Sequence, residues 1–432
     1  MRFLLAILFA GAACGADVYV ARNGNDASDG TQARPLASLE RARDEARKRG
    51  GGTVFVRAGV YELAATLKLE AADSGATWRA YPGEKVTLSG GVTISGFTPY
   101  KGAILEAKVP AGLLFRQLFF AGRRQPLARY PNFDAANPYG GGWAYADGKR
   151  VPMYQEVPGE DRRTLRYKPE DARAWARPEE AEVVIFPRYN WWNNIVRIRS
   201  LDRDTRTITL AADCSYAIRP GDRYYVQGLI EELDAPGEWY LDTRAGTLYF
   251  WPPEGARGPL AVTVPRLATI VEIGPGASDI TLRGFTFEAS SGTAIVLHGT
   301  RNCRVAGNTI RNVGDYRGSG VAVNGGTGNG VVGNDIYATG AHGIPVLYFT
   351  VLHDELAIAD RLRRSGADVN EGDGTMTALH AAALFNKPDM ATWLLKHKAR
   401  RDVKDFNGKT PLEVAEEKGN EAVAVLLRRG AV

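Results

Sequence analysis

The chain is poor in the residues that carry redox and metal chemistry. It has 3 cysteines, 5 histidines and 4 methionines in 432 residues. Three cysteines exclude a disulfide framework and a four-cysteine zinc site. There is no G-x-x-x-x-G-K-[ST] loop, no H-E-x-x-H pair and no Cys/His spacing of the metal-binding kind, so neither a cofactor nor a metal is expected. Past the N-terminus no apolar run is long enough for a membrane span. Charge of one sign is also scarce: the net charge is +5, and residues 350–432 balance acid against base, so the small basic surplus lies before them. That surplus permits an anionic partner but does not point to nucleic acid. What is present is ordinary globular composition, 44% hydrophobic and 24% charged, with glycine raised to 49 residues.

Residues 1–16 carry one arginine, an apolar stretch from Phe3 to Ala10 and then small residues. This pattern reads as a secretory signal cleaved after Ala16, with a periplasmic or extracellular destination. A lipid anchor at Cys14 lacks the branched residue usually found three positions earlier. Cys303 alternates in phase with Val305, and Cys214 and Cys303 are expected to be buried free thiols.

Residues 17–112 open with a strand, Val18-Tyr19-Val20, and a helix starting at Pro35 with apolar Leu36, Leu39, Ala42 and Ala46 on one face. Asp26 and Asp29 in the loop between them suit side-chain-bonded turns better than a calcium cage. Residues 113–260 hold six of the eight tryptophans and several hairpin signals, and read as an inserted all-β module. In residues 261–347 a repeat appears. Gly284-Phe285-Thr286-Phe287, Gly307-Asn308-Thr309-Ile310 and Gly333-Asn334-Asp335-Ile336 recur 23 and 26 residues apart, and Ile295, Val321 and Ile344 form an offset set. Short strands at this period, punctuated by Gly and Asn, predict a parallel β-solenoid in which Phe287, Ile310 and Ile336 stack in one buried column. Asn308 and Asn334 then occupy equivalent turns, where their amides can bond along the axis.

Residues 348–432 change period. Thr377-Ala378-Leu379-His380-Ala381-Ala382 and Thr410-Pro411-Leu412-Glu413-Val414-Ala415 lie 33 apart. This start, with its Thr cap, bridging His and Leu pair, resembles the ankyrin repeat. So few repeats should lean on the solenoid, with one apolar end docked on its last coil.

Three segments, VYVARNGNDASDGTQARPLASLERARDEAR, TVFVRAGVYEL and WRAYPGEKVTLSGG, resemble the start of secreted bacterial right-handed parallel β-helix proteins of the pectate-lyase-like superfamily. RRQPLARYPN and LDAPGEWYLDTRAGTLYFWPP look like the inserted β-module of the glycoside-hydrolase-type members. The resemblance covers about residues 17–346. It implies a mainly β fold: a right-handed parallel β-helix with an inserted all-β module, followed here by a short α-helical ankyrin-like array. It also implies a carbohydrate partner and, ahead of polysaccharide lyase chemistry, glycoside hydrolysis. Only about three coils follow the insert, fewer than such proteins usually have. This favours a second possibility: a non-catalytic scaffold that binds glycan through the β part and a protein partner through the repeats.

Stacked coils turn sequence offsets into spatial neighbours. The loops before Ile295, Val321 and Ile344 should line one edge, gathering Glu288, Asp315, Tyr316, Arg317 and His342. Glycoside hydrolysis needs two carboxyl groups, one protonated and one ionised. Asp315 is the first candidate acid or base, with Glu288 or Asp335 as partner and His342 as an accessory group. Arg317 and Tyr316 are candidate substrate-binding residues. So are Trp191 and Trp192, because adjacent tryptophans on a strand cannot both face a core. Glu238 reads as a turn carboxylate.

Overall fold

A computed structural model describes residues 16–134, 136–137, 140–189, 191–256, 258, 260–316, 318–340, 356, 359–360, 363, 369–370, 376–405 and 408–429. Three parallel sheets wind into a solenoid. The first runs Val18–Val20, Thr53–Val56, Thr77–Ala80, Thr281–Arg283, Arg304–Ala306 and Gly330–Val332. The second runs Gly59–Glu62, Val86–Ser89, Thr286–Ser290, Thr309–Val313 and Asp335–Thr339. The third runs Leu67–Leu69, Val271–Ile273, Ile295–Arg301 and Val321–Thr327. The sequence period becomes a register here. Phe287 pairs with Ile310 and Ile310 with Ile336, and Leu88 extends the column downward. Phe287 and Ile310 are fully buried, whereas Ile336, on the last described coil, is 39% exposed.

Gly284, Gly307 and Gly333 all have positive φ, at 78°, 63° and 61°. The recurring glycine is the residue that turns each coil through the left-handed region at no steric cost. Beside it the asparagines form a ladder. The Asn308 side-chain amide donates to Asn334 Oδ1 at 3.0 Å and to the Leu282 carbonyl at 3.0 Å, and its own Oδ1 accepts from the Phe285 N–H.

The helix over the solenoid's first end is Leu39–Lys48, starting four residues later than the expected Pro35. Leu36 is held in a bridge to Val20. The helix begins only where Ser38 caps it by accepting from the Arg41 N–H. Asp26 accepts from the Ala37 and Ser38 N–H groups at 2.8 Å, the role of a turn carboxylate. Cys214 and Cys303 are buried free thiols.

The inserted module is antiparallel and starts before residue 113. Gly91–Ser95 already pairs with Ala261–Pro265, so the chain leaves and re-enters the solenoid along one two-stranded ribbon. Between these strands lie two further cores. One gathers Leu165, Val183, Ile185 and Val226; the other gathers Leu118, Trp239, Phe250 and Val264. After the excursion Thr281–Arg283 pairs directly with Thr77–Ala80, and the coil stack continues without a gap.

In the C-terminal array the helices Ala378–Leu384 and Pro411–Glu417 each start at a capping threonine, Thr377 and Thr410. The His380 ring accepts the Thr377 N–H at Nδ1 and donates from Nε2 to the Lys409 carbonyl at 3.0 Å, tying one repeat to the next. Leu379 and Leu394 are fully buried, and Leu395, Leu412 and Leu426 pack against the same core. The first repeat, where docking on the last coil is expected, lies largely outside the described residues; on the last described coil Val331, Ile336 and Tyr337 are exposed. The described repeats face the insert across a cleft of about 540 Å³, with Tyr154, Tyr189 and Trp191 on one wall and His380, Leu384 and Lys409 on the other. An isolated fragment of residues 348–432 should therefore melt with low cooperativity below the intact chain, since stacking between neighbours holds such arrays. Calorimetry of the fragment checks this; a sharp transition at the full chain's temperature would show an independent unit.

Among the described residues no helix is long and apolar enough to cross a membrane.

Candidate functional site

The insert folds back over the solenoid and leaves a cleft of about 660 Å³ between them. Its walls come from places far apart in sequence: the segment ahead of strand Leu118–Phe120, the start of strand Glu182–Ile185, the end of strand Arg223–Gln227, strand Trp239–Asp242, and two solenoid turns bearing Ser291 and Asp315.

Arg116 organises the charge. Its guanidinium grips both oxygens of Glu182, and its Nε lies 3.8 Å from Asp315 Oδ2. It also sits over the Tyr316 ring, 5.3 Å from the centroid. One cation thus stands between a carboxylate of the insert and a carboxylate of the solenoid. Gln227, opposite Glu182 in the ladder, donates to Glu182 Oε2 at 3.2 Å. Burial raises the Glu182 carboxyl, but the Arg116 guanidinium with Gln227 and Arg197 more than offsets this and holds it below the usual carboxylate range. Glu182 is therefore ionised at neutral pH.

The Asp315 turn is fixed from both sides. Gly314 and Asp315 donate their N–H groups to the Ser290 and Ser291 carbonyls, and Arg124 donates to the Gly314 carbonyl at 2.7 Å. Phe115 and Trp239 stack with centroids 5.4 Å apart and line the apolar side of the cleft. Gln117 lines it as well. Its side chain is 2% exposed, and neither its Oε1 nor its Nε2 has a partner among the described residues.

The other residues singled out in the sequence go elsewhere. Glu288 lies within strand Thr286–Ser290, paired between Ser89 and Arg311, and its carboxylate accepts from Arg311 Nε at 2.9 Å. It sits in the ladder rather than in the turn after it, so it does not line the cleft. Asp335 starts strand Asp335–Thr339 opposite Thr309 and is exposed on the last described coil, again outside the cleft. Tyr316 is 41% exposed beside Arg116. Trp191 and Trp192 are exposed, but they lie beyond the far end of strand Glu182–Ile185, where Trp191 stacks on Tyr189 at 4.7 Å. The strand's length separates them from Glu182. Arg317 and His342 lie outside the described residues. Among the described residues no group of His, Cys, Asp and Glu has metal-holding geometry.

Glu238, next to Trp239, is buried, with Oε2 accepting from the Asp234 and Ala235 N–H groups and Oε1 unpartnered among the described residues. Burial pushes its carboxyl up to about 7. A carboxyl raised on folding loses stability as pH climbs from the ordinary carboxylate range through the folded value. Glu238→Gln should therefore be nearly neutral at pH 5 and more stable than wild type by about 1–3 kcal/mol at pH 8. Melting temperatures across that range check it, and a difference that does not change with pH would contradict it.

Residues 347–432 match the family of ankyrin repeats (3 copies). An alignment of 76 residues is 42% identical to the E3 ubiquitin-protein ligase Ufd4 of Drosophila melanogaster, covering 17% of this chain and 3% of that protein. Another alignment, of 85 residues, is 40% identical to the potassium channel AKT3 of Oryza sativa subsp. japonica, covering 19% and 9%. A third, of 84 residues, is 33% identical to the human ankyrin repeat and SOCS box protein 9, covering 19% and 29%. The chain thus spans a small part of the curated relatives it matches. Among solved structures a glycoside hydrolase superposes with a TM-score of 0.49 at 22% identity, over 68% of this chain and 65% of that one. The chain is a mainly β protein built on a parallel solenoid, and it ends in ankyrin repeats.

Proposed function

We propose that the protein acts on carbohydrate, and that the cleft between insert and solenoid holds a poly- or oligosaccharide and cleaves it as a glycoside hydrolase does. The observation that carries this reading is the pairing of Glu182 and Asp315 on either side of Arg116, beside the Phe115–Trp239 stack. Two carboxyl groups from opposing walls can flank a glycosidic bond, and aromatic walls suit the apolar faces of sugar rings. Glu182, held ionised, takes the role of base or nucleophile. Asp315 takes the role of proton donor to the leaving oxygen. Lyase chemistry fits less well, because it needs a cation free to stabilise an enolate, whereas Arg116 is shared by two carboxylates and Arg197 sits opposite Glu182 in the ladder.

A second reading rests on the same guanidinium. A bidentate Arg–Glu pair must loosen before Glu182 can react, and a cleft that keeps it intact would bind glycan without cutting it. In that case the protein is a scaffold with glycan on the β part and a protein partner on the ankyrin repeats. Export follows from the residues 1–16 pattern, and the N-terminal sequence of protein recovered outside the cytoplasm tests it. A polysaccharide panel decides between the two readings: new reducing ends support hydrolysis, unsaturated ends support a lyase, and binding without cleavage supports the scaffold.

A further inference from the structure

We propose that Gln117 is the residue by which the cleft recognises a ligand: its side-chain amide takes a pair of adjacent hydroxyl groups on one sugar ring. The inference rests on the reading of the cleft as a carbohydrate site and names what that site selects. Gln117 directly precedes strand Leu118–Phe120 and follows Arg116, the residue that joins the two carboxylates. It is 2% exposed and lines the cleft, and both amide atoms lack a partner among the described residues. Buried polar groups are almost always bonded, because leaving one unpaired costs what its hydration was worth. An amide buried unpaired just behind the wall of a cleft is matched by a ligand that reaches it with the complementary donor and acceptor at the same spacing.

The chemistry of that complement is specific. Oε1 accepts and Nε2 donates, side by side in one plane. A vicinal diol answers both: one hydroxyl donates to Oε1 while its neighbour accepts from Nε2. A carboxylate or phosphate offers acceptors only and would leave Oε1 unpaired. A diol recognised this way also sits among two cations, Arg116 and Arg197, and three acidic residues, Glu180, Glu182 and Asp315, where an acidic ring would add to the acidic surplus. The selected ligand is therefore a neutral sugar ring with two adjacent free hydroxyls, not an acidic one.

Full-length wild type and Gln117→Met are compared by thermal shift and calorimetric titration. The probes are the methyl β-pyranosides of glucose, galactose, mannose and xylose, with the monodeoxy form of each at every ring hydroxyl. Methionine keeps the length of glutamine and removes both polar atoms. Without ligand, Gln117→Met should melt at or above the wild-type temperature, since an unpaired amide is lost from the interior. A wild-type ligand should lose about tenfold or more in affinity when one of two adjacent hydroxyls is removed. Gln117→Met should bind the parent sugar with the same loss and be indifferent to that hydroxyl. A variant that melts well below wild type, or does not fold, overturns the inference, because the amide is then bonded inside the protein. So does a variant that keeps the wild-type affinity and deoxy pattern; in that case sugar binding stands and only the role of Gln117 falls. If wild type binds none of the pyranosides, the carbohydrate reading falls and the inference falls with it.

Discussion

Replacing Ile310 by aspartate should abolish the cooperative unfolding of the solenoid. Ile310 is fully buried between Phe287 below and Ile336 above, in the column that Leu88 continues downward. The substitution removes about 2–3 kcal/mol of apolar burial. It also places a carboxylate with no partner in a packed interior, which costs several kcal/mol more unless the group takes up a proton. The sum is comparable to the whole stability of a typical domain. Ile336→Asp offers the control. It changes the same column one rung higher, where the side chain is 39% exposed, and should cost about 1 kcal/mol. Urea denaturation followed by far-ultraviolet circular dichroism reads both. Equal losses from the two variants would mean that the column is not the unit that carries the fold.

Asp315→Asn should remove turnover while leaving the fold in place. If Asp315 delivers the proton to the leaving oxygen, its amide cannot, and general acid catalysis is worth on the order of 10²–10⁴ in rate. Asparagine keeps the size and one acceptor oxygen, so the local contact to the Tyr316 N–H survives. The turn itself is held by backbone bonds and by Arg124, none of which uses the carboxylate. Stability should shift by no more than about 1 kcal/mol. The kinetic signature is a fall in kcat on substrates with poor leaving groups and a much smaller fall on aryl glycosides, whose leaving group needs no proton. A uniform loss on both would assign Asp315 to binding. Unchanged turnover on both would remove it from the mechanism and leave Glu182 without its acid.

The solenoid was legible because its rule is local and repeated. Each coil restates the same Gly turn and the same inward residue, so Phe287, Ile310 and Ile336 announce their column by spacing alone. The C-terminal repeats were legible for the same reason, through Thr377, His380 and their counterparts one period later. The cleft was legible only on its solenoid side. Asp315 belongs to a repeated turn and could be placed by the coil rule. Arg116, Gln117 and Glu182 belong to the antiparallel insert, which has no repeat, and their meeting depends on how one module folds over another. A weak signal existed in Glu182, a lone charge opening the apolar run Val183-Val184-Ile185, but a strand-end carboxylate is usually solvated. Glu288 went the other way. Its loop was placed near the right edge, yet a shift of a few residues set its side chain in the ladder, where Arg311 neutralises it.

The two strands at the base of the insert, Gly91–Ser95 and Ala261–Pro265, carry a further consequence. Their register runs from Gly91 against Pro265 to Ser95 against Ala261, so the excursion begins and ends one strand spacing apart. Loop-closure entropy grows only slowly with loop length, and here a paired ribbon has already met it at the neck. The intervening chain is thus a detachable cassette. A two-residue hairpin turn joining Ser95 to Ala261 fits the same neck, and coil stacking, which passes from Trp78 directly to Leu282, does not run through the excised part. Such a graft separates inheritance from invention. The coils supply a stem whose stacking is complete below the neck, tied to the insert through Asn312–Gly122 and Arg124–Gly314, and half of the cleft's chemistry travels with the piece above it.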